Sequence, residues 1–219
     1  DADGGVATQS FNIVVANIND IGGVEMSGTF TEDQVITATV TDADNDGTSD
    51  TYTYQWASSS DLSSWSNIGT ASTYTLTQSE VGKYIRVSAS YTDDDGTVES
   101  HTDTHVVAVA NVNDDPTGSV TITGTPTQGQ TLTAANTLAD ADGLGTITYT
   151  WSNSATGATV VLAESDVGNA MTVTATYTDG QSTAESVASS ATAAVANLND
   201  DPTGSVTITG TPTQGQTLT

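Results

Sequence analysis

The sequence predicts an all-β chain of tandem antiparallel β-sandwiches, and three observations carry that expectation. First, threonine supplies 43 of the 219 residues, and Thr, Val, Ile and Tyr suit a pleated, half-buried surface. Second, apolar residues recur with a period of two rather than the helical period of about 3.6. Ile85, Val87, Ala89 and Tyr91, for example, alternate with Tyr84, Arg86, Ser88 and Ser90. Third, the string DDPTGSVTITGTPTQGQTLT occurs twice without change, at Asp114–Thr133 and Asp200–Thr219. Repetition at a fixed period marks an array of like units.

The length of a unit follows from a shorter signature, VVANIND, VAVANVNDD and AVANLNDD. Its first asparagine falls at Asn17, Asn111 and Asn197, steps of 94 and 86 residues. These steps are close to the roughly 100 residues of an immunoglobulin-like sandwich. The expected organisation is the C-terminal strand of a preceding repeat (1–19), an Ig-like repeat (20–113), a second (114–199) and the first strands of a following one (200–219). With Asp1 in place of a starting Met, the chain reads as processed or as a window on a longer array.

Within the first repeat, Ile36, Ala38 and Val40 alternate with Thr37 and Thr39, the run TYTYQW ends on Trp56, and the run through Tyr91 follows. The second repeat supplies Leu132 and Ala134, then TITYTW ending on Trp151, then Met171, Val173, Ala175 and Tyr177 alternating with threonines. Clusters of Gly, Asp and Asn separate the runs, as tight turns require. About seven short strands per repeat are expected, in two packed sheets. There is no cysteine, so each core rests on its tryptophan and the aliphatic residues around it.

Charge excludes several functions. Twenty-seven Asp and Glu face only Lys83 and Arg86, a net charge of −25. Nucleic-acid binding needs clustered Lys and Arg, and an anionic membrane surface repels such a chain. No apolar run approaches the roughly 18 residues of a membrane span, so direct membrane insertion is not expected. Neither a G-x-S-x-G elbow, a phosphate loop nor a histidine-centred triad is present, and the chain does not read as an enzyme.

The segments GTPTQGQTLTA, YTW and LAESDVGNAMTVTATYTDG, matched in the first repeat by TYQW and YTLTQSEVGKYIRVSASYTDDDG, resemble bacterial immunoglobulin-like repeats of large surface adhesins. The linker NVNDDP resembles the calcium-binding junctions of cadherin-like repeats, without the final Asn of their D-x-N-D-N motif. The resemblance implies tandem sandwiches in an elongated array that hold an adhesive domain away from a bacterial cell. It implies an extracellular location, at the surface or secreted.

Carboxylates are the residues with chemistry to offer. In the first repeat Asp42, Asp44 and Asp46 follow the second strand, Asp93, Asp94 and Asp95 occupy a late turn, and Asn19 and Asp20 arrive on the linker. In a sandwich these loops share one end, which supplies the hard oxygens that calcium requires in sets of 6–8. The second repeat offers Asn113, Asp114 and Asp115 with Asp140, Asp142 and Asp179. Glu80 from the far end of the first repeat is expected to reach this junction. Asp166 stands equivalently for the next junction, with Asn199, Asp200 and Asp201. The segment DADNDG begins like an EF-hand loop but carries Thr53 at position twelve, where that loop needs Glu. Isolated Asp-Gly pairs read as turns; convergence of six or more carboxylates, which repel unless neutralised, favours calcium.

His101 and His105 share one face of a strand and read as inert surface residues rather than a transition-metal pair. Trp65 lies in DLSSWSNIG, an insertion absent from the second repeat. It reads as capping a sheet edge, with stacking on a sugar as the alternative. The function expected is therefore a structural extender of calcium-rigidified repeats, whose partners are the neighbouring repeats. The alternatives are a filament or matrix subunit that assembles with identical chains, and a polysaccharide-binding module centred on Trp65.

Overall fold

A computed structural model describes residues 4, 6, 8–13, 18–44 and 51–219. The chain is all-β, with small antiparallel sheets, and its contacts divide it into two compact units, Asp1–Asn113 and Asp114–Thr219. Among the described residues no helix is long and apolar enough to cross a membrane.

Unit 1 contains β1 (Gly23–Ser27), β2 (Val35–Thr41), β3 (Thr53–Ser59), β4 (Ser66–Gly69), β5 (Thr73–Thr75), β6 (Tyr84–Thr92) and β7 (Val98–His105). They form one sheet in the order β1-β2-β5 and another in the order β4-β3-β6-β7. The period-two pattern decides which face is buried. Ile85, Val87, Ala89 and Tyr91 of β6 are all buried, as are Ile36 and Ala38 of β2. Both sheets feed one core of Val24, Ile36, Ala38, Trp56, Leu76, Ile85, Val87, Ala89 and Val109. Each large side chain there contributes roughly 1.5–3 kcal/mol by leaving water. The Trp56 ring is fully buried and its indole N–H donates to the Ala71 carbonyl at 2.8 Å, so the polar edge is satisfied at no cost to the core.

Strand β7 manages the edge of its sheet with charge. Glu99, His101, Asp103 and His105 alternate along it, each more buried than the residues between them. Inward-pointing charge discourages strand addition by a neighbour. Asp103 Oδ2 accepts the Met26 N–H of β1 at 2.7 Å, which ties the two sheets together. His105 stacks on Phe30 with centroids 3.5 Å apart.

Unit 2 contains β8 (Val120–Thr123), β9 (Thr131–Asn136), β10 (Thr148–Trp151), β11 (Thr159–Val161), β12 (Val173–Thr178) and β13 (Ala184–Ala188). The sheets run β11-β9-β8 and β10-β12-β13. Its core holds Val120, Leu132, Ala134, Trp151, Leu162, Met171, Val173, Ala175 and Tyr177 among others. Trp151 is 2 % exposed and donates to the Gly157 carbonyl at 2.9 Å, as Trp56 does in its unit.

The insertion of unit 1 folds locally. The N–H groups of Ser63 and Ser64 donate to Asp61 Oδ1 at 2.9 and 2.8 Å, which holds the Asp61 carboxyl well below the ordinary range. The turn this makes brings back β4, which pairs with β3. Trp65 is half-buried, with the Arg86 guanidinium 4.4 Å from its ring centroid.

Candidate metal centres

The same acidic arrangement is built at one end of each unit, from matching residues. In unit 1 the Tyr91 hydroxyl, at the end of the buried row of β6, donates to Asp42 Oδ2 at 2.6 Å. In unit 2 Tyr177, at the end of β12, donates to Asp140 Oδ2 at 2.6 Å. Burial, reinforced by these carboxylates, pushes both phenols above their ordinary pKa, so they remain protonated donors. The loops after β2 and β9 turn back in the same way. Asp44 N–H donates to Asp42 Oδ1 at 3.0 Å, and Asp142 N–H donates to Asp140 Oδ1 at 2.9 Å. The linker is received alike: the Asp20 N–H donates to Asp44 Oδ2, and the Asp114 N–H to Asp142 Oδ2 at 2.8 Å.

The late turn adds a third carboxylate. Asp93 Oδ1 accepts the Thr97 N–H at 2.6 Å. Asp179 Oδ1 accepts those of Gln181 and Thr183 at 2.9 and 2.7 Å. Asp93 is 5 % and Asp179 7 % exposed, and Oδ2 of each is buried with no hydrogen-bond partner. A buried, unpartnered carboxylate oxygen is costly; its presence at the same place in both units points to a group that both can bind. Oxygens of Asp42, Asp93 and Glu99 lie within 4.8 Å of one another, as do those of Asp140, Asp142 and Asp179. Three hard, anionic oxygens at that spacing suit a divalent cation completed by carbonyls and water.

The other expected ligands are distributed differently. Asp94 and Asp95 are exposed in the turn after β6, and Asp115, Asn199 and Asp201 are exposed as well. Asp46 lies outside the described residues. Asn19 is brought to unit 1's site, where its amide donates to Glu99 Oε1 at 3.0 Å; Asn113 is exposed. Glu80 is buried, but its Oε2 accepts the N–H and hydroxyl of Thr77 at 3.1 and 2.8 Å, closing a single 3-10 turn. Asp166 acts likewise on the Ala163 N–H at 2.8 Å, and takes the Asn153 amide at 3.1 Å. Asp200 accepts the Gln128 amide at 3.1 Å.

Two acidic residues of unit 1 escaped the sequence reading. Glu32 is 4 % exposed and accepts the Val112 N–H at 3.3 Å. Glu99 is 6 % exposed and accepts from His101 at 2.7 Å, from the Gly22 N–H at 2.8 Å and from Tyr91 at 3.1 Å. The available signal was the alternation of Glu99 with His101 and Asp103, which puts charge on the inner face of a strand. Trp65, the candidate sugar platform, spends one ring face on Arg86.

These contacts make unit 1 acid-sensitive in a defined window. The bond from His101, then those from Asn19 and Gly22, hold Glu99 down to about 2 from 4.5. A lowered folded-state pKa stabilises the protein above the unfolded value and ceases to do so as pH falls through the folded one. In EDTA, unit 1 is expected to lose stability between pH 4.5 and about 2. Glu99→Gln should flatten that part of a denaturation-versus-pH profile, and an identical slope in both proteins would remove Glu99 as the cause.

No family model matches the chain, and no curated protein matches it.

Proposed function

We propose that this chain is a structural extender: immunoglobulin-like repeats in an elongated extracellular array, stiffened by calcium bound where the linker meets each unit. The observation that carries this reading is the buried, unpartnered oxygen of Asp93 and of Asp179 within a carboxylate cluster. The unchanged recurrence of Asp114–Thr133 at Asp200–Thr219 supports it, since a spacer is copied for length whereas a recognition site need occur once. Resemblance of the repeats to those of bacterial surface adhesins gives the setting, a cell surface or its surroundings.

Without cations, carboxylates at the linker repel one another and the array bends; calcium neutralises them. Small-angle scattering of the chain should show a longer maximum dimension in millimolar calcium than in EDTA. The melting temperature should rise with calcium, because binding confined to the folded state stabilises it by mass action. Magnesium should act poorly, since it resists dehydration and prefers a smaller octahedral cage. Unchanged dimension and melting temperature in both buffers would leave the aspartates as turn residues.

A further inference from the structure

The two basic residues of the chain, Lys83 and Arg86, stand three positions apart at the start of β6. They face 27 Asp and Glu, yet among the described residues neither forms an ion pair; the pair found there joins Glu99 to His101. Arg86 is held in place all the same. Period two sends Tyr84, Arg86 and Ser88 to the outer face of the sheet, opposite the buried Ile85 and Val87. Arg86 lies between Ala57 of β3 and Thr104 of β7, and its guanidinium sits over the Trp65 ring, 4.4 Å from the centroid. Trp65 is brought there by the Asp61 turn, whose carboxylate is taken up by the N–H groups of Ser63 and Ser64 and by the Ser59 hydroxyl.

A ring beneath a guanidinium covers its face and leaves the N–H groups in its plane, which suit a planar carboxylate in two parallel bonds. The next row along the same face is Gln55, Ser88 and Thr102, with the Ser88 and Thr102 hydroxyls 2.8 Å apart. These are uncharged donors and acceptors of the kind that sugar hydroxyls accept and supply. The parts also occur together and once. SEVGKYIRV of unit 1 is SDVGNAMTV in unit 2, so Lys83, Tyr84 and Arg86 give way to Asn169, Ala170 and Thr172, and unit 2 lacks the insertion with Trp65 as well. Charge narrows the ligand further. At −25 the chain repels a dense polyanion or a second copy of itself, whereas a lone carboxylate senses mainly the charges within the screening length of roughly 8 Å.

We infer that Arg86, seated on Trp65 and flanked by Gln55, Ser88 and Thr102, is the carboxylate-binding centre of a site for an acidic sugar, a glycan whose carboxylates are isolated, as in a single uronic acid residue. The guanidinium takes the carboxylate, Trp65 fixes the guanidinium, and the hydroxyl row takes the sugar. The site uses no calcium and stands or falls apart from the extender reading.

The test uses the whole 219-residue chain in EDTA, with the indole N–H signals of Trp56, Trp65 and Trp151 followed by NMR. Methyl glucuronide should shift the Trp65 signal saturably and leave those of Trp56 and Trp151 in place. Methyl glucoside, which has a hydroxymethyl group where the glucuronide has its carboxylate, should act at least about tenfold more weakly, as loss of a charge-assisted bidentate pair does. Acetate should be weaker by a similar factor, since it offers the hydroxyl row nothing. Arg86→Lys keeps the charge without the planar fork and should weaken glucuronide binding about tenfold; Arg86→Gln should abolish it. The unshifted Trp56 signal reports that unit 1 of each variant is folded, and if a variant does not fold, the three ligands on the unsubstituted chain decide alone. Equal responses to glucuronide and glucoside, or no saturable shift at Trp65, overturn the site. Equal responses to glucuronide and acetate overturn the sugar. A response that needs added calcium, or that survives Arg86→Gln, places the carboxylate elsewhere and overturns the proposal too.

Discussion

Trp151→Ala is expected to destabilise unit 2 by roughly 3–5 kcal/mol, the usual cost of truncating a buried aromatic side chain to a methyl group. The ring is 2 % exposed among Leu132, Leu162, Met171 and Val173, and unit 2 has no disulfide to limit the damage. For a domain of this size each kcal/mol moves the melting temperature by about 4–8 °C, so a fall on the order of 15 °C or more should be seen. The cores of the two units are separate residue sets, so the transition of unit 1 should keep its midpoint. Trp65→Ala is the control. Its half-buried ring lies outside the core cluster and packs on the half-buried Arg86, and loss of a cation–π pair that is not fully desolvated costs about 1 kcal/mol. Scanning calorimetry of the two variants decides the matter; comparable losses from both would put Trp65 in the core.

How far the sequence speaks for itself is visible in the segment it contains twice. Thr123 pairs with Thr133 in unit 2. At the second copy Thr209 and Thr219 exchange the equivalent backbone bonds, at 2.7 and 3.0 Å. Local turn chemistry is enough to specify that hairpin. Burial is not local: Val120 is 4 % exposed and Leu132 fully buried, whereas Val206 is 99 % and Leu218 45 % exposed. The same residues are core or surface according to what packs on them. Period two likewise gave the inward faces of β2, β6 and β12 correctly, because it needs only a sheet with one dry side.

The acidic site was legible in part for the same reason. Asp42, Asp93, Asp140, Asp142 and Asp179 sit in turns, where Asp is conspicuous, and the two-sheet expectation brought those turns together. Glu99 and Glu32 lie in or beside strands, where a single carboxylate reads as an exposed position. Glu80 and Asp166 looked available, yet a capping carboxylate three residues after its partner Thr77 or Ala163 is used locally. The approach of Gly22 to Tyr91 and Asp42 is likewise a tertiary fact with no pattern to announce it.

Gly145→Ala should couple the fold of unit 2 to its acidic site. Residues 142–145 lie against the end of β12: the Gly180 N–H donates to the carbonyls of Asp142 and Gly143, each at 3.0 Å. A Cβ on Gly145 would stand 1.9 Å from the Thr178 carbonyl oxygen and 3.0 Å from its carbon. That neighbour is backbone of a strand whose Val173, Ala175 and Tyr177 are buried, so it cannot swing aside as a flexible side chain would. Either the loop or the strand must shift, at a cost of roughly 1–3 kcal/mol for overpacking of this kind. Asp142 lies three residues before the substitution and Asp179 one residue after Thr178, so the shift moves two of the three clustered carboxylates. Calcium affinity should fall together with stability, by more than the loss of folded protein accounts for. Gly23→Ala is the matched control: the nearest atom to its added Cβ is Thr41 Oγ1 at 3.9 Å, an ordinary contact, and replacing a strand glycine should be neutral or gain about 0.5 kcal/mol. Urea titrations of both variants, with calcium binding measured at low urea, read the two effects separately. Should Gly145→Ala match the parent in midpoint and affinity, the loop is not held against β12, and the acidic site of unit 2 is looser than its hydrogen bonds to Asp142 and Asp179 imply.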